Sequence, residues 1–253
     1  MPEPRTALVT GASSGVGAAI ARALAALGWP VAIGARRTGN LGEVARGIEG
    51  DGGRVFAHAL DVTRSDSVDA FFAAAENALG PVDVVVSNAG MGRPGLLHEL
   101  GVDELRHELD TNLFGTMLVV RRALPSMLER KRGDLVFLSS TAVSEPRPFQ
   151  AGYTASKAGI EGLAMGLRCD LEGTGVRTTT IRLGATRSEF GLHWEPDVLA
   201  RVIESWQRWG FLRHMEMMEP EDVAQAIVAA VTAPRGFSTN IMQLNPDGSS
   251  RGS

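Results

Sequence analysis

The sequence has little that oxidation, a membrane or nucleic acid would use. One cysteine, Cys169, stands in 253 residues, so no intrachain disulfide can form. This suits a reducing compartment, with Cys169 expected as a small buried hydrophobe. The opening MPEPRTALVTG enters a strand-like run almost at once, without the positively charged and apolar segments of a leader. No run reaches the apolar length of a membrane span. No basic cluster is longer than Arg130-Lys131-Arg132, and the net charge is −4, which argues against nucleic acid or an anionic membrane as the main partner. A cytoplasmic, soluble protein is expected. Internal repeats, low-complexity tracts and Pro/Gly/Ser linkers are also missing, so one domain over residues 1–253 is the simplest organisation.

What is present is an ordinary globular composition, 44% apolar and 21% charged, arranged as alternating strands and helices. The patterning predicts strands at Ala7–Thr10, Val31–Ala35, Arg54–Leu60, Val82–Ser87, Asp134–Ser139, Val176–Leu183 and Ile241–Leu244. Between them it predicts helices at Val16–Leu27, Leu41–Ile48, Val68–Leu79, Asp103–Arg130, Ala151–Gly173 and from Pro220, with Thr63 and Asp66 as a capping box for the third. Strands that are continuously apolar and separated by single helices mean βαβ units. The expected fold is α/β: a doubly wound, Rossmann-like domain with an about seven-stranded parallel sheet covered on both faces.

A glycine-rich turn, Thr10-Gly11-Ala12-Ser13-Ser14-Gly15-Val16-Gly17, lies between the first strand and the first helix. Free backbone N–H groups and the positive helix end can hold a dinucleotide pyrophosphate there. After the second strand, where a carboxylate would hold a ribose 2′-hydroxyl, the sequence reads Ala35-Arg36-Arg37. A guanidinium binds a 2′-phosphate that a carboxylate would repel, so NADP(H) is expected over NAD(H).

The only tyrosine, Tyr153, precedes Lys157 by four residues, which puts both on one face of a helix. A cation about 4 Å from a phenol, at an effective dielectric of about 20, interacts by roughly 4 kcal/mol. One pKa unit is about 1.4 kcal/mol, so a downward shift of the phenol by one to three units is physically available.

These elements, in this order, resemble the short-chain dehydrogenase/reductase family over nearly the whole chain. Thr10–Gly17 matches its T-G-x-x-x-G-x-G turn, Asp61-Val62 its adenine-contacting pair, and Asn88-Ala89-Gly90 its N-A-G element. Asn112 and Ser140 match its asparagine and serine, and Tyr153-Thr154-Ala155-Ser156-Lys157 its Y-x-x-x-K. The resemblance implies an NADP(H)-dependent oxidoreductase interconverting a ketone or aldehyde with an alcohol. Tyr153 would exchange the proton, Lys157 would favour the phenolate and bind the nicotinamide ribose, and Ser140 would orient the substrate oxygen. Asn112 would link Lys157 to solvent through a water. The turn residues Gly11, Ser13, Ser14, Gly15, Val16 and Gly17 would hold the cofactor together with Arg36 and Arg37. Leu183, Gly184, Thr186 and Ser188 would contact the nicotinamide carboxamide.

Three departures from the family pattern stand out: Ser87 replaces the first asparagine of N-N-A-G, Leu183-Gly184 replaces Pro-Gly, and Ser188 replaces the threonine that commonly follows. The segment 186–218 is unusually bulky, with Phe190, Leu192, His193, Trp194, Trp206, Trp209, Phe211, Met215, Met217 and Met218. It reads either as an apolar lid for a hydrophobic or aromatic substrate or as a stripe packed on the core or another subunit. Thr141, Phe149, Phe190, Trp194 and Trp206 are the candidate substrate residues, and Met91–Leu97 the opposite wall. The resemblance also implies a homotetramer or homodimer. A same-fold epimerase or dehydratase, or a cofactor-sensing regulator, remains as an alternative, although a regulator is expected to have lost the proton donor.

Overall fold

The computed structural model describes residues 4–189, 191, 194–211 and 216–248. Seven strands form one parallel sheet: β1 (Ala7–Thr10), β2 (Val31–Ala35), β3 (Val55–Ala59), β4 (Val84–Ser87), β5 (Gly133–Ser140), β6 (Val176–Leu183) and β7 (Ile241–Leu244). Their order is β3-β2-β1-β4-β5-β6-β7. The first three strands run outward from β1 in one direction and the last four in the other. The reversal between β1 and β4 opens a crevice at their C-terminal ends, where ligands bind in sheets of this kind.

Side chains alternate between the faces along each strand, and both faces are apolar. Val9 and Ile33 point into a core with α1 (Gly15–Ala26), α2 (Thr38–Gly50) and α8 (Pro220–Thr232). Leu8, Val85 and Phe137 point into a second core with α3 (Ser65–Leu79), α5 (Gly115–Glu129) and α6 (Ala151–Asp170). The two remaining helices, α4 (Val102–Leu109) and α7 (Pro196–Arg208), stand at the crevice rather than on the sheet.

Three local expectations need correction. The helix expected over Asp103–Arg130 is broken by a π-helical turn, Asp110–Phe114, between α4 and α5. The Thr63–Asp66 capping box does not form. The Thr63 hydroxyl is already committed to Asp61 Oδ1 at 2.7 Å, α3 is N-capped by Arg64, and Asp66 pairs with Arg64 instead. Cys169, expected to be buried, is exposed near the end of α6. Among the described residues, no helix is long and apolar enough to cross a membrane.

Candidate active site

The glycine turn follows β1 because Gly11 and Gly15 adopt φ of +67° and +52°, in the left-handed region. Gly17 is needed for another reason. A Cβ there would fall 2.4 Å from Gly11 O and 2.5 Å from Asn88 Nδ2. Asn88 fastens the turn to the end of β4, since its Nδ2 donates to Thr10 O (2.9 Å) and Gly11 O (3.1 Å). The amides of Asn88 and Ala89 in turn donate to Thr10 Oγ1. Ser87, the departure beside them, leaves its buried hydroxyl without a partner among the described residues.

Helix α1 starts at Gly15 next to Val16, and its N-cap, Ser14, makes no side-chain cap. The Ser14 hydroxyl donates instead to Glu189 Oε2 at 2.8 Å, and the same oxygen pairs with Arg37 at 2.6 Å. Arg37 also donates to Ser13 and Ser14. A carboxylate thus stands at the helix N-terminus between two donors, where a phosphate oxygen would be held. Arg36 lies nearer to Asp61. Burial raises the Asp61 carboxyl, but hydrogen bonds from Thr63 and the Arg36 and Arg64 cations bring it below the usual carboxylate range. Val62 is buried against Gly115, where a Cβ would lie 2.7 Å from Val62 Cγ2.

At the end of β6, Leu183 pairs with Ser140 in register and Gly184 N donates to Leu244 O. The chain then returns over the turn. Thr186 bridges Met218, and Ser188 comes to 3.3 Å from a Cβ placed on Gly15. A β1–β4 crevice with backbone amides, a guanidinium above it and no room for side chains at Gly11 and Gly17 fits a dinucleotide.

Ser140 ends β5, and its Oγ accepts from Ala142 N at 3.1 Å. It is hydrogen-bonded to the phenol of Tyr153 on the first turn of α6. Lys157, 5% exposed, donates from Nζ to Leu138 O at 2.8 Å and lies 5.7 Å from the centre of the Tyr153 ring. Asn112 is fully buried in the π-turn. Its Oδ1 accepts from Met91 N (2.8 Å), and its Nδ2 donates to Met91 O (2.8 Å) and Ser156 Oγ (2.9 Å). A Cβ on Gly90 would come within 3.2 Å of Asn112 Oδ1 and 3.4 Å of Lys157 Nζ. The expected residues therefore do converge.

Their proton affinities differ from the sequence expectation. Burial pushes the Tyr153 phenol up to about 12, ahead of the hydrogen bond from Ser140 that lowers it, with the Glu108 charge raising it and Arg147 lowering it. Burial pushes the Lys157 ammonium down to about 8, against the Glu108 carboxylate. Burial, rather than the Lys157 charge, sets the direction of the phenol's shift, opposite to the one the spacing suggested.

Two groups here were missed by motif reasoning. Glu108, at the end of α4, is 2% exposed; Oε2 accepts from Arg93 N at 2.8 Å, while Oε1 has no partner among the described residues. Burial raises its carboxyl above the usual range. Arg147 lies in the loop between Ser140 and Tyr153 and is half-buried. The only sequence signal for Glu108 was a carboxylate four residues before Asn112, on the stretch read as one long helix.

Over the crevice, Trp194 Nε1 donates to Gly92 O and Trp206 Nε1 to Pro148 O, which ties α7 and its approach to both loops. Phe149, held at φ +67° by Gly95 N donating to its carbonyl, lies under Arg201. A phenylalanine in the left-handed region is strained, and such strain gathers at functional sites. Thr141 is buried beneath at 2% exposure. Of the bulky segment, Met218 packs into the core, while Trp209 is 67% exposed and stands away from the wall. Phe190, Leu192, His193 and Met215 lie outside the described residues.

The short chain dehydrogenase family pattern matches residues 5–198. Glycine betaine reductase ATRR of Emericella nidulans is 34% identical over 96% of the chain, which spans only 19% of that protein. A short chain dehydrogenase of Pseudocercospora fijiensis is 38% identical over 74% of the chain and 61% of its own length. An uncharacterized oxidoreductase of Staphylococcus aureus (strain MRSA252) is 30% identical over 96% and 97% of the two chains. Among solved structures, an alcohol dehydrogenase from Thermococcus sibiricus complexed with 5-hydroxy-NADP superposes with a TM-score of 0.82 at 29% identity, covering 96% of both chains. A metagenomic short-chain oxidoreductase in complex with NADP gives 0.80 at 32% identity, over 96% and 97%.

Proposed function

The chain belongs to the short-chain dehydrogenase family, and within it we propose an NADP(H)-dependent oxidoreductase that interconverts a ketone or aldehyde with an alcohol. The observation that carries this reading is the hydrogen-bonded Ser140–Tyr153 pair, set at the C-terminal end of β5 beside a dinucleotide-shaped crevice. When bound, the nicotinamide supplies or accepts the hydride. In reduction, Ser140 orients the carbonyl oxygen and the Tyr153 phenol, which keeps its proton at neutral pH, gives that proton to the same oxygen. The phenolate left behind is stabilised by the Ser140 hydroxyl and the Arg147 charge. Lys157, 5.7 Å from the centre of that ring, presents its ammonium towards Gly90, where a nicotinamide ribose would lie. Asn112 fixes the Met91 backbone and so the Gly90 edge of the crevice. In oxidation the Tyr153 oxygen takes the alcohol proton as the phenolate, with its own proton already released, and returns to the phenol.

The preference for NADP(H) rests on Arg37, which reaches the glycine turn, with Arg36 beside Asp61 as the second cation. Segment 186–218 serves as the lid of a single domain, and Trp194, Trp206 and Phe149 make its wall apolar and aromatic, suited to a hydrophobic or aromatic substrate. Exposed Leu109, Phe114, Met117 and Leu128 on α4–α5 and Met165 on α6 support association of copies into a dimer or tetramer.

Tyr153→Phe tests the assignment. It is expected to bind NADPH as the parent does and to lose carbonyl reduction by about 10²- to 10⁴-fold, measured as NADPH oxidation over a graded set of ketones. Undiminished turnover overturns the role.

A further inference from the structure

The wall of the crevice carries three guanidinium groups, and two of them are matched. Arg93 pairs with Glu104 at 3.3 Å, and Arg201 with Glu99 at 2.9 Å. Arg147 is different. Its Nε is buried without a hydrogen-bond partner, and among the described residues the side chain makes no ion pair. Glu145, the nearest carboxylate in sequence, is exposed and acts on it only at a distance. The guanidinium lies 5.2 Å from the centre of the Trp206 ring, which holds it against the aromatic wall. It is also near enough to Tyr153 to act on the phenol's charge. Burial lowers its proton affinity, against the weaker opposing charges of Glu145 and Tyr153, so the cation is kept here at a cost that is only partly offset.

We propose that Arg147 receives a carboxylate carried by the substrate, so that the compound reduced is a hydrophobic or aromatic oxo acid. This rests on the carbonyl-reductase reading and names its substrate class. A forked guanidinium binds the two oxygens of a carboxylate in one plane. The charge count favours a monoanion: one cation is unmatched, and the buried Glu108 carboxyl, whose charge also acts on Tyr153, opposes a second negative charge. The acid group would sit at the Arg147–Trp206 side while the carbonyl faces Ser140 and Tyr153.

The test compares phenylglyoxylate with its methyl ester, using NADPH oxidation by the parent chain, Arg147→Gln and Arg147→Lys. Benzoate binding to the same three proteins and to Tyr153→Phe is followed by calorimetry. The parent is expected to favour the acid over the ester in kcat/KM, and Arg147→Gln to shrink that ratio by about 10- to 100-fold, chiefly through KM, with Arg147→Lys between them. Benzoate should bind Tyr153→Phe as it binds the parent, and at least about 10-fold more weakly to Arg147→Gln. A parent that prefers the ester, or a ratio and a benzoate affinity unmoved by Arg147→Gln, overturns the carboxylate site while leaving carbonyl reduction standing. Arg147-dependent benzoate binding without reduction of either compound supports the site and counts instead against the functional reading.

Discussion

The two ends of the sheet handle buried charge in opposite ways. At the N-terminal end, Asp134 near the start of β5 accepts from Arg5, Arg177 (2.7 Å) and Arg235 (3.0 Å), and Asp83 beside it accepts from Thr6 N and Arg130. Arg5 donates onward to Val231 O. At the C-terminal end of the same strand, roughly 20 Å away at about 3.3 Å per residue, Lys157 has one carbonyl, and among the described residues one Glu108 oxygen has no partner and Arg147 no carboxylate. One end uses its charges to fasten four strands and α8. The other leaves hydrogen-bonding capacity open, which is the condition for acting on something that is not protein.

The contrast can be broken from either side. The largest effect after loss of the Tyr153 hydroxyl is expected for Asp134→Ala, which strands three arginines. Urea unfolding should show a loss of about 3–5 kcal/mol, with turnover per folded molecule unchanged. A fall in kcat at full folding would mean that the two ends are not separate.

Next, Arg37→Ala is expected to weaken NADPH by about 10- to 100-fold, the value of a charge-assisted contact, and NADH much less. Equal weakening removes the 2′-phosphate argument. The smallest effect belongs to Glu189→Gln. With the carboxylate between Ser14 and Arg37 neutralised, NADPH should bind a few-fold tighter, by about 1 kcal/mol or less, and weaker binding would show that Glu189 helps the cofactor rather than standing in for its phosphate.

Much of this was legible in the sequence, because continuous apolar runs leave few alternatives to a buried parallel strand: β1, β2, β6 and β7 have the bounds that patterning predicts, and α8 starts at Pro220 as expected. The convergence of Ser140, Tyr153 and Lys157 was legible from spacing and family order. What was not legible depends on tertiary partners. The π-turn lies where Asn112 is drawn onto the Met91 backbone, twenty-one residues away, and no local propensity announces it. Helix α7 is hidden in a segment whose tryptophans suggested a lid before they suggested a helix. The phenol's shift has the opposite sign to that estimated from Lys157 alone, since an i,i+4 spacing says nothing about how much water reaches either group.

The central claim is that the cation under Tyr153 is held without water and without a full counter-charge, and stability against pH measures this directly. An ammonium that titrates near 8 in the folded chain and near 10.4 unfolded binds more protons unfolded than folded between those values, so stability must rise with pH there. Above about pH 10 the Tyr153 phenol, raised to about 12, reverses the slope. The chain has only two lysines, Lys131 and Lys157, which keeps the background small. Urea unfolding of the parent and Lys157→Met from pH 7 to 10 should show the parent gaining up to about 3 kcal/mol relative to the variant above pH 8. Parallel curves for the two proteins would mean that Lys157 is solvated and would contradict the account.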